Sequence, residues 1–505
     1  MKYLLGIDIG TTSCKTTLFD FDGNIIVHSS RSYEVLKPKE GYAEQNPEDW
    51  FSGVVSAIKE ILGKGYNPDD IVSIGVDGQS WSCIPIDKKG SVLYNTPIWF
   101  DTRSTDICED IKKIISEEEL FKICGNPLSP SYSLPKVLWF KKHMKDIYDK
   151  TYMFLQSNSY IVYKLTGVVS QDLSQSYGYQ FFNINTLEYD LDLAKKLGVD
   201  MSKIPPIYHS SDVVGYVSDE ASKITGLSKG TMVVAGGLDA ACATLGVGVI
   251  NEGDTQEQGG TAGGMSICTK EAISHPKLIL GVHVVNDRWL LQGGTTGGSG
   301  VMSWWVHNFG DMNKELPYDE MRRPAKDIAP GSDGVIFLPY FAGERSPIWD
   351  PKAKGVFYGL DYTKTRHHMT RALLEGVAYA LRDNIETAYE SGVRIKKMTT
   401  MGGGANSEFW TQIKADVTKI DISIPTNISS SSSLGAAILA GIGAKVYKSF
   451  DEAINRTIKI RTTIKTNKEN YQVYDDGFKT YKELYKSLKE IMDKWRQQYY
   501  IKTKT

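Results

Sequence analysis

Hydrophobic positions follow two spacings along the chain. In 4-LLGIDIGTTSCKTTLFDFDGNII-26, Leu4, Leu5, Ile7 and Ile9 form an apolar run of strand length, with the carboxylate of Asp8 at its centre and Gly-Thr-Thr-Ser behind it. The pattern predicts a strand over 3–9, a Gly-Thr-Thr turn, a strand over 15–20, a turn at Asp22-Gly23 and a third strand near 24–31. A helical stretch over 48–62 then leads to strand 71-IVSIGVD-77, which ends on Gly78-Gln79-Ser80-Trp81. Helical spacing returns over 133–145, 368–391, 406–418 and 474–495, followed by a polar basic tail. Such alternation is α/β, and open α/β sheets build their sites at the carboxyl ends of strands.

One stretch echoes the start. Segment 255-TQEQGGTAGGMSICT-269 repeats the first hairpin, with Gly260-Thr261 standing where Gly10-Thr11 stood, and is preceded by 233-VVAGGLDAACATLGVG-248. The chain therefore reads as a duplicated α/β unit with a boundary near 245–255. Two such units facing each other bring two Gly/Thr turns to one cleft, each offering amides and hydroxyls to an anion. A length of 505 residues suits two large domains.

Composition narrows the function. Lys and Arg (58) nearly balance Asp and Glu (60), so no global field favours nucleic acid or a membrane surface, and the expected partner is a small molecule. The six cysteines form no CxxC pair, no signal peptide opens the chain, and a reducing cytoplasm is the expected compartment. The longest apolar stretch, 434-LGAAILAGIGAKVY-447, is too short to span a bilayer.

Several constellations can carry chemistry. An unpaired carboxylate inside an apolar strand costs several kcal/mol, so Asp8 requires compensation. With Gly10, Thr11, Thr12, Ser13 and Lys15 it suits phosphate oxygens and a hydrated Mg²⁺; the alternative is an Asp that caps its own turn. Asp239, after an apolar strand and at a helix start, suits a general base or a simple cap. Glycines in 401-MGGGANSEFW-410 and 293-GGTTGGSG-300 leave room for a ring or phosphate, or for close strand–helix packing. Gln79, Trp81, Asp101 and Arg103 combine aromatic and polar groups as sugar sites do, although Trp99 reads better as core. No Walker loop, dinucleotide fingerprint, HExxH or GxSxG motif is present.

Taken in order, D-I-G-T-T-S-C-K at 8–15, S-L-P-K-V-L-W-F at 133–140, G-G-L-D-A at 236–240, G-G-T-A-G at 259–263, G-E-R-S-P-I-W-D at 343–350, G-V-F-Y-G-L at 355–360, A-L-L-E-G at 372–376 and G-G-G-A at 402–405 give a chain that resembles the FGGY carbohydrate kinases over nearly its whole length. The resemblance implies two actin-like, ribonuclease-H-like α/β domains clamping a central cleft, 1–248 holding sugar and 249–505 holding ATP. It implies that Asp239 is the general base, Asp8 the Mg²⁺-associated carboxylate, and Thr11, Thr12 and Lys15 the turn at the transferred phosphate. Gly260, Thr261, Gly300, Gly402, Gly403 and Ser407 then fall where such kinases hold phosphates and adenosine.

Within the family the chain looks most like the xylulokinases, which makes a ketopentose such as D-xylulose the expected substrate and ribulose, another ketose or a polyol such as erythritol the alternatives. It departs from them at Ser80 and Trp81, which stand where xylulokinases carry Met-His and glycerol kinases carry Arg-Glu. A Glu common in relatives before the L-G-A-A helix is also missing from 429-SSSSSLGAA-437. Homodimers are common among such kinases, and no surface pattern here establishes one. The competing classes are an actin-like or Hsp70-like nucleotide switch, which needs neither Asp239 nor the E-R-S-P segment, and a sugar sensor without catalysis.

Overall fold

The computed structural model describes residues 1–315 and 317–503 and contains two large sheets of seven strands each. The first comprises β1 (Tyr3–Ile9), β2 (Ser13–Phe19), β3 (Ile25–Ser32), β4 (Ile71–Gly78), β5 (Val213–Tyr216), β6 (Met232–Val234) and β7 (Gly237–Leu238). Its order is β5-β6-β4-β1-β2-β3, with β7 also pairing β4. The second comprises β8 (Asp254–Gln258), β9 (Gly263–Thr269), β10 (Ile279–Val282), β11 (Trp289–Thr295), β12 (Lys397–Met401), β13 (Ile422–Pro425) and β14 (Ile460–Ile464), ordered β10-β11-β9-β8-β12-β13-β14.

The two sheets share one plan. Three antiparallel strands, β1-β2-β3 or β8-β9-β11, are extended by two parallel ones, β4 and β6 or β12 and β13. An antiparallel edge, β5 or β14, closes each. The duplication expected from the two Gly-Thr hairpins is therefore present in three dimensions. The flanking helices used below are α1 (Pro47–Gly63), α2 (Ser133–His143), α3 (Leu173–Ser176), α4 (Asp239–Leu245), α5 (Ser299–Phe309), α6 (Arg366–Glu390), α7 (Glu408–Thr418), α8 (Ser431–Gly443) and α9 (Tyr471–Thr503). Predicted helices 48–62, 133–145, 368–391, 406–418 and 474–495 correspond to α1, α2, α6, α7 and α9. The helix over 474–495 extends further than its apolar spacing suggested, because its polar end continues without a glycine or proline to stop it.

Packing does not respect the division of the chain into halves. Helix α8 comes from the second half but lies on the first sheet beside α4, and Leu434, Ala437 and Ile438 join Leu4, Leu238 and Leu245 in one apolar cluster. Glycine makes the approach possible. A Cβ on Gly6 or Gly75 would collide with the Ser433 or Ala436 carbonyl, and one on Gly435 or Gly246 would collide with the Cys242 or Ser431 carbonyl. The small-residue run 434-LGAAILAG-441 is thus a contact surface. Among the described residues no helix is long and apolar enough to cross a membrane.

Because the colliding atoms are backbone, they cannot rotate away. Gly75→Ala is expected to destabilise the protein by about 3 kcal/mol, the upper range for overpacking, read as a lower urea midpoint; an unchanged midpoint would show that α8 is not seated as described.

Candidate functional site

Strand register alone assembles the acidic centre. Asp8 on β1 lies directly across from Asp77 on β4 and, on its other side, from Lys15 on β2. Residues opposite one another project from the same face, so the three side chains form one row. Gly237 and Leu238 of β7 pair with Asp77 and Gly78, and the chain then enters α4 at Asp239. Three carboxylates therefore meet at the carboxyl end of the first sheet.

Their electrostatics follow from crowding. Asp77 is fully buried and neither carboxylate oxygen has a hydrogen-bond donor. It stands within hydrogen-bond reach of Asp8, where two ionised carboxylates have no proton to share. Burial first, then the charges of Asp8 and Asp239, pushes Asp77 well above the ordinary carboxylate range. Burial also raises Asp8, against the lowering effects of Asp77 and Lys15. Asp239 is pushed up to about 7 by burial and by Asp8, although the Ala240 amide donates to its Oδ1 at 2.6 Å. Asp77 was not singled out from the sequence, yet it carried the signal used for Asp8: a carboxylate in an apolar strand.

A crowded carboxylate pair, one member of it without a donor, is the chemistry a hydrated Mg²⁺ accepts, since that ion takes one or two carboxylates and fills its remaining positions with water and phosphate. Among the described residues no three His, Cys, Asp or Glu side chains are arranged to enclose a metal by themselves. The fit is to a cation held through its waters.

The phosphate-type turns are built differently in the two halves. In the first, the Thr11 hydroxyl accepts from Trp99 Nε1 at 3.0 Å, Thr12 is exposed, and Lys15 Nζ donates to the Ser429 carbonyl and Ser430 hydroxyl at 2.9 Å each. Lys15 thereby ties β2 to the start of α8 and keeps one donor of its three. In the second, the Ser299 and Gly300 amides donate to the Gly260 and Thr261 carbonyls at 2.7 and 3.0 Å, and the Gly404 amide to Gly259 at 2.9 Å. Gly402 adopts φ +80°, its amide bonds the Ile428 carbonyl, and a Cβ there would press on Gly259 and Gly260. Gly300 and Gly402 thus serve close approach, while around Gly403 a side chain would meet nothing. Ser407 is buried and caps α7 through the Trp410 amide. Between α5 and the 402–406 turn lies a cavity of about 470 Å³ lined by Ser299, Met302, Gly403, Gly404, Asn406 and Trp410.

A larger cavity, about 890 Å³, spans both halves. Trp81, Trp99 and Tyr132 line it from the first half, and Glu344, Arg345 and Trp349 from the second. Trp81, at φ +53°, packs against Tyr132 and Tyr177 with ring centroids 4.3 and 5.7 Å away. Ser80 is half-buried beside it. Gln79 is buried and donates to Gln45, which donates to the Thr11 carbonyl, so the two turns are linked by a chain of 2.8 Å bonds. Its Oε1 has no partner. Trp99, read as core, lines the cavity. Asp101 and Arg103 are not brought there: Arg103 pairs with Asp101 and Glu44 at 2.7 Å, stacks on Tyr42 and lines a different cavity.

Two braces escaped the sequence reading. Lys136, in the S-L-P-K motif, is buried and donates to the carbonyls of Trp81, Ile98 and Ser131 at 2.9, 2.8 and 2.6 Å; burial brings its ammonium down to about 7. The buried turn α3 holds both functional strand ends. Gln175 donates to the Gly78 and Gln79 carbonyls and accepts from the Trp81 amide, and Ser174 accepts from the Leu238 amide at 2.8 Å. Neither brace shows a spacing that would reveal it.

A carboxyl raised by the fold lowers stability as pH climbs. The unfolded state surrenders its proton near pH 4, the folded state only at its raised value, so stability falls across that interval and stays low above it. Asp77→Asn removes the penalty. The variant is expected to melt above the wild type in Mg²⁺-free buffer at pH 8, with the difference shrinking at pH 5; a difference independent of pH would contradict the buried, protonated Asp77.

The N-terminal domain model of the FGGY family of carbohydrate kinases matches residues 3–246, and the C-terminal domain model of the same family matches residues 258–444. A xylulose kinase from Bacillus subtilis is 30% identical over 494 residues, covering 97% of this chain and 98% of that protein. Among solved structures, a gluconate kinase from Lactobacillus acidophilus superposes with a TM-score of 0.90 at 25% identity, covering 98% of this chain and 99% of that one. A ligand-bound xylulose kinase from the same organism gives 0.89 at 25% identity, covering 98% and 100%. With both domain models matched in order and the duplicated sheets that such a kinase requires, the chain belongs to the FGGY family of carbohydrate kinases.

Proposed function

We propose that the protein transfers the γ-phosphoryl group of ATP to a hydroxyl of a ketopentose, D-xylulose before ribulose or a polyol such as erythritol. The observation that carries this reading is the position of Asp239: a carboxyl brought up to about 7, beside Asp8 and the unpartnered carboxylate of Asp77. A base of that strength is matched to neutral pH, where it is ionised in a large share of molecules and still accepts a proton. Asp239 takes the hydroxyl proton as the sugar oxygen forms its bond to the γ-phosphorus and the bond from that phosphorus to the β,γ-bridging oxygen breaks, releasing ADP. Asp8 and Asp77 would hold a hydrated Mg²⁺, which supplies charge neutralisation to the phosphates when bound. The turns at 10–13 and 259–261 position the phosphates, and the 470 Å³ cavity suits adenosine. Little covalent work remains for the protein, as expected for phosphoryl transfer by positioning. The chain boundary near 248 separates sugar-side from nucleotide-side elements, apart from α8.

A second reading, a gluconate kinase, stays open because Ser80-Trp81 depart from the Met-His pair of xylulokinases and because a solved gluconate kinase and a solved xylulose kinase match the fold equally, with TM-scores of 0.90 and 0.89. ADP release with Mg-ATP against D- and L-xylulose, D- and L-ribulose, gluconate, glycerol and erythritol separates the readings. One ketopentose is expected to stimulate release at least about tenfold over background; a gluconate preference would select the second reading, and release indifferent to every sugar would contradict both.

A further inference from the structure

Arg345 differs from the other arginines. Among the described residues, every other buried or half-buried arginine has an acceptor for its guanidinium: Arg31, Arg103, Arg288, Arg322, Arg371, Arg382 and Arg456 donate to carboxylates, carbonyls or hydroxyls. Arg345 is half-buried and its guanidinium makes no such bond. A planar cation with five N–H donors held without a protein acceptor leaves its fork open to a ligand. Burial lowers its pKa, against the opposing charge of Glu344.

Its placement is firm. The Glu344 carboxylate does not fork onto it, because Glu344 Oε1 accepts from the Thr296 and Arg345 amides at 2.7 Å each. Ser346 is fastened to Gly294 by two hydrogen bonds and to Asn384 by a third, which fixes the backbone on either side of the arginine against β11 and α6. The guanidinium lies over Gly294, where a Cβ would come within 3.2 Å of its Cζ. Across the cleft it faces Trp99, 5.8 Å from the ring centroid. It therefore lines the 890 Å³ cavity from the second half of the chain while touching the first half's wall. Tyr177, packed against the cavity-lining Trp81 with ring centroids 5.7 Å apart, feels the charges of both Asp239 and Arg345.

We propose that Arg345 is a substrate-recognition residue of this kinase, donating its planar fork to two oxygens at the end of the sugar chain away from the hydroxyl that faces Asp239. The assignment rests on the sugar-kinase reading and adds to it a contact supplied by the half of the chain that also carries the glycine-rich turns. Two oxygens spaced for a fork occur both as a vicinal pair in a ketopentose and as the carboxylate of an aldonate. In either case the bound sugar engages donors that no protein group engages, and joins the two walls of the cavity.

The test uses full-length protein, with ADP release measured against varied D-xylulose and D-gluconate at saturating Mg-ATP, then against varied ATP, for wild type, Arg345→Met and Arg345→Lys. Loss of a hydrogen-bonded charge is expected to raise the KM of the accepted sugar about ten- to a hundredfold in Arg345→Met while the KM for ATP stays within about twofold. Arg345→Lys separates the two ligand chemistries: it is expected to recover much of the loss for gluconate, where charge matters, and little for xylulose, where the fork does. Because the guanidinium has no partner to lose, Arg345→Met should melt no lower than the wild type. An unchanged sugar KM in Arg345→Met, or a shift in the ATP KM instead, overturns the assignment and leaves the kinase reading standing. A wild type that turns over no sugar overturns both.

Discussion

Everything at this site depends on two carboxylates that strand pairing forces together. Asp8 and Asp77 are opposite one another in a parallel ladder inside a buried sheet, and neither can move away without breaking the register that seats Ile7, Ile9, Ile74 and Val76 in the core. Two like charges so placed cannot both ionise without a cation. The fold tolerates this because the rest of the row is arranged around it: Lys15 on the far side of Asp8, Asp239 ahead of Asp77, and glycine turns beyond. Such a pair is costly unless a positive charge lies beside it.

Duplication explains the division of labour. Both sheets end in a Gly-Thr hairpin beside a parallel strand, but the ends carry opposite chemistry. Where the first has Asp8 and Asp77, the second has Gln258 and Met401 in the paired positions. Glu257, one residue further in, is neutralised by Lys414 at 2.6 Å and bonded by Thr400. The second end is neutral and lined by glycine, without the crowded negative charge of the first. Helix α8 then locks the halves, since its backbone rests on the glycines of β1 and β4 while Lys15 reaches its first turn.

Much of this was legible in the chain. Periodicity located the main strands and helices, and the repeated Gly-Thr hairpin revealed the duplication, because a tight turn between apolar strands depends on local residues alone. What failed to show was orientation. Asp101 and Arg103 looked like sugar ligands, yet their i, i+2 spacing lets them satisfy one another, and the pair turns inward to Glu44. Trp99 looked like core, yet its indole bonds Thr11 and walls the cavity. Gln175, Ser174 and Lys136 act on backbone groups far along the chain, so no local pattern marks them. Asp77 was legible in principle, as the same apolar-strand carboxylate that drew attention to Asp8.

The central claim is that Asp239 accepts the substrate proton beside the carboxylate pair. It is tested most directly by single-turnover phosphoryl transfer in Asp239→Asn, with nucleotide affinity measured on the same preparation. The chemical step is expected to slow by at least about 10²-fold, the contribution of a general base, with nucleotide affinity nearly unchanged. Transfer at close to the wild-type rate would contradict the account, whatever the sugar.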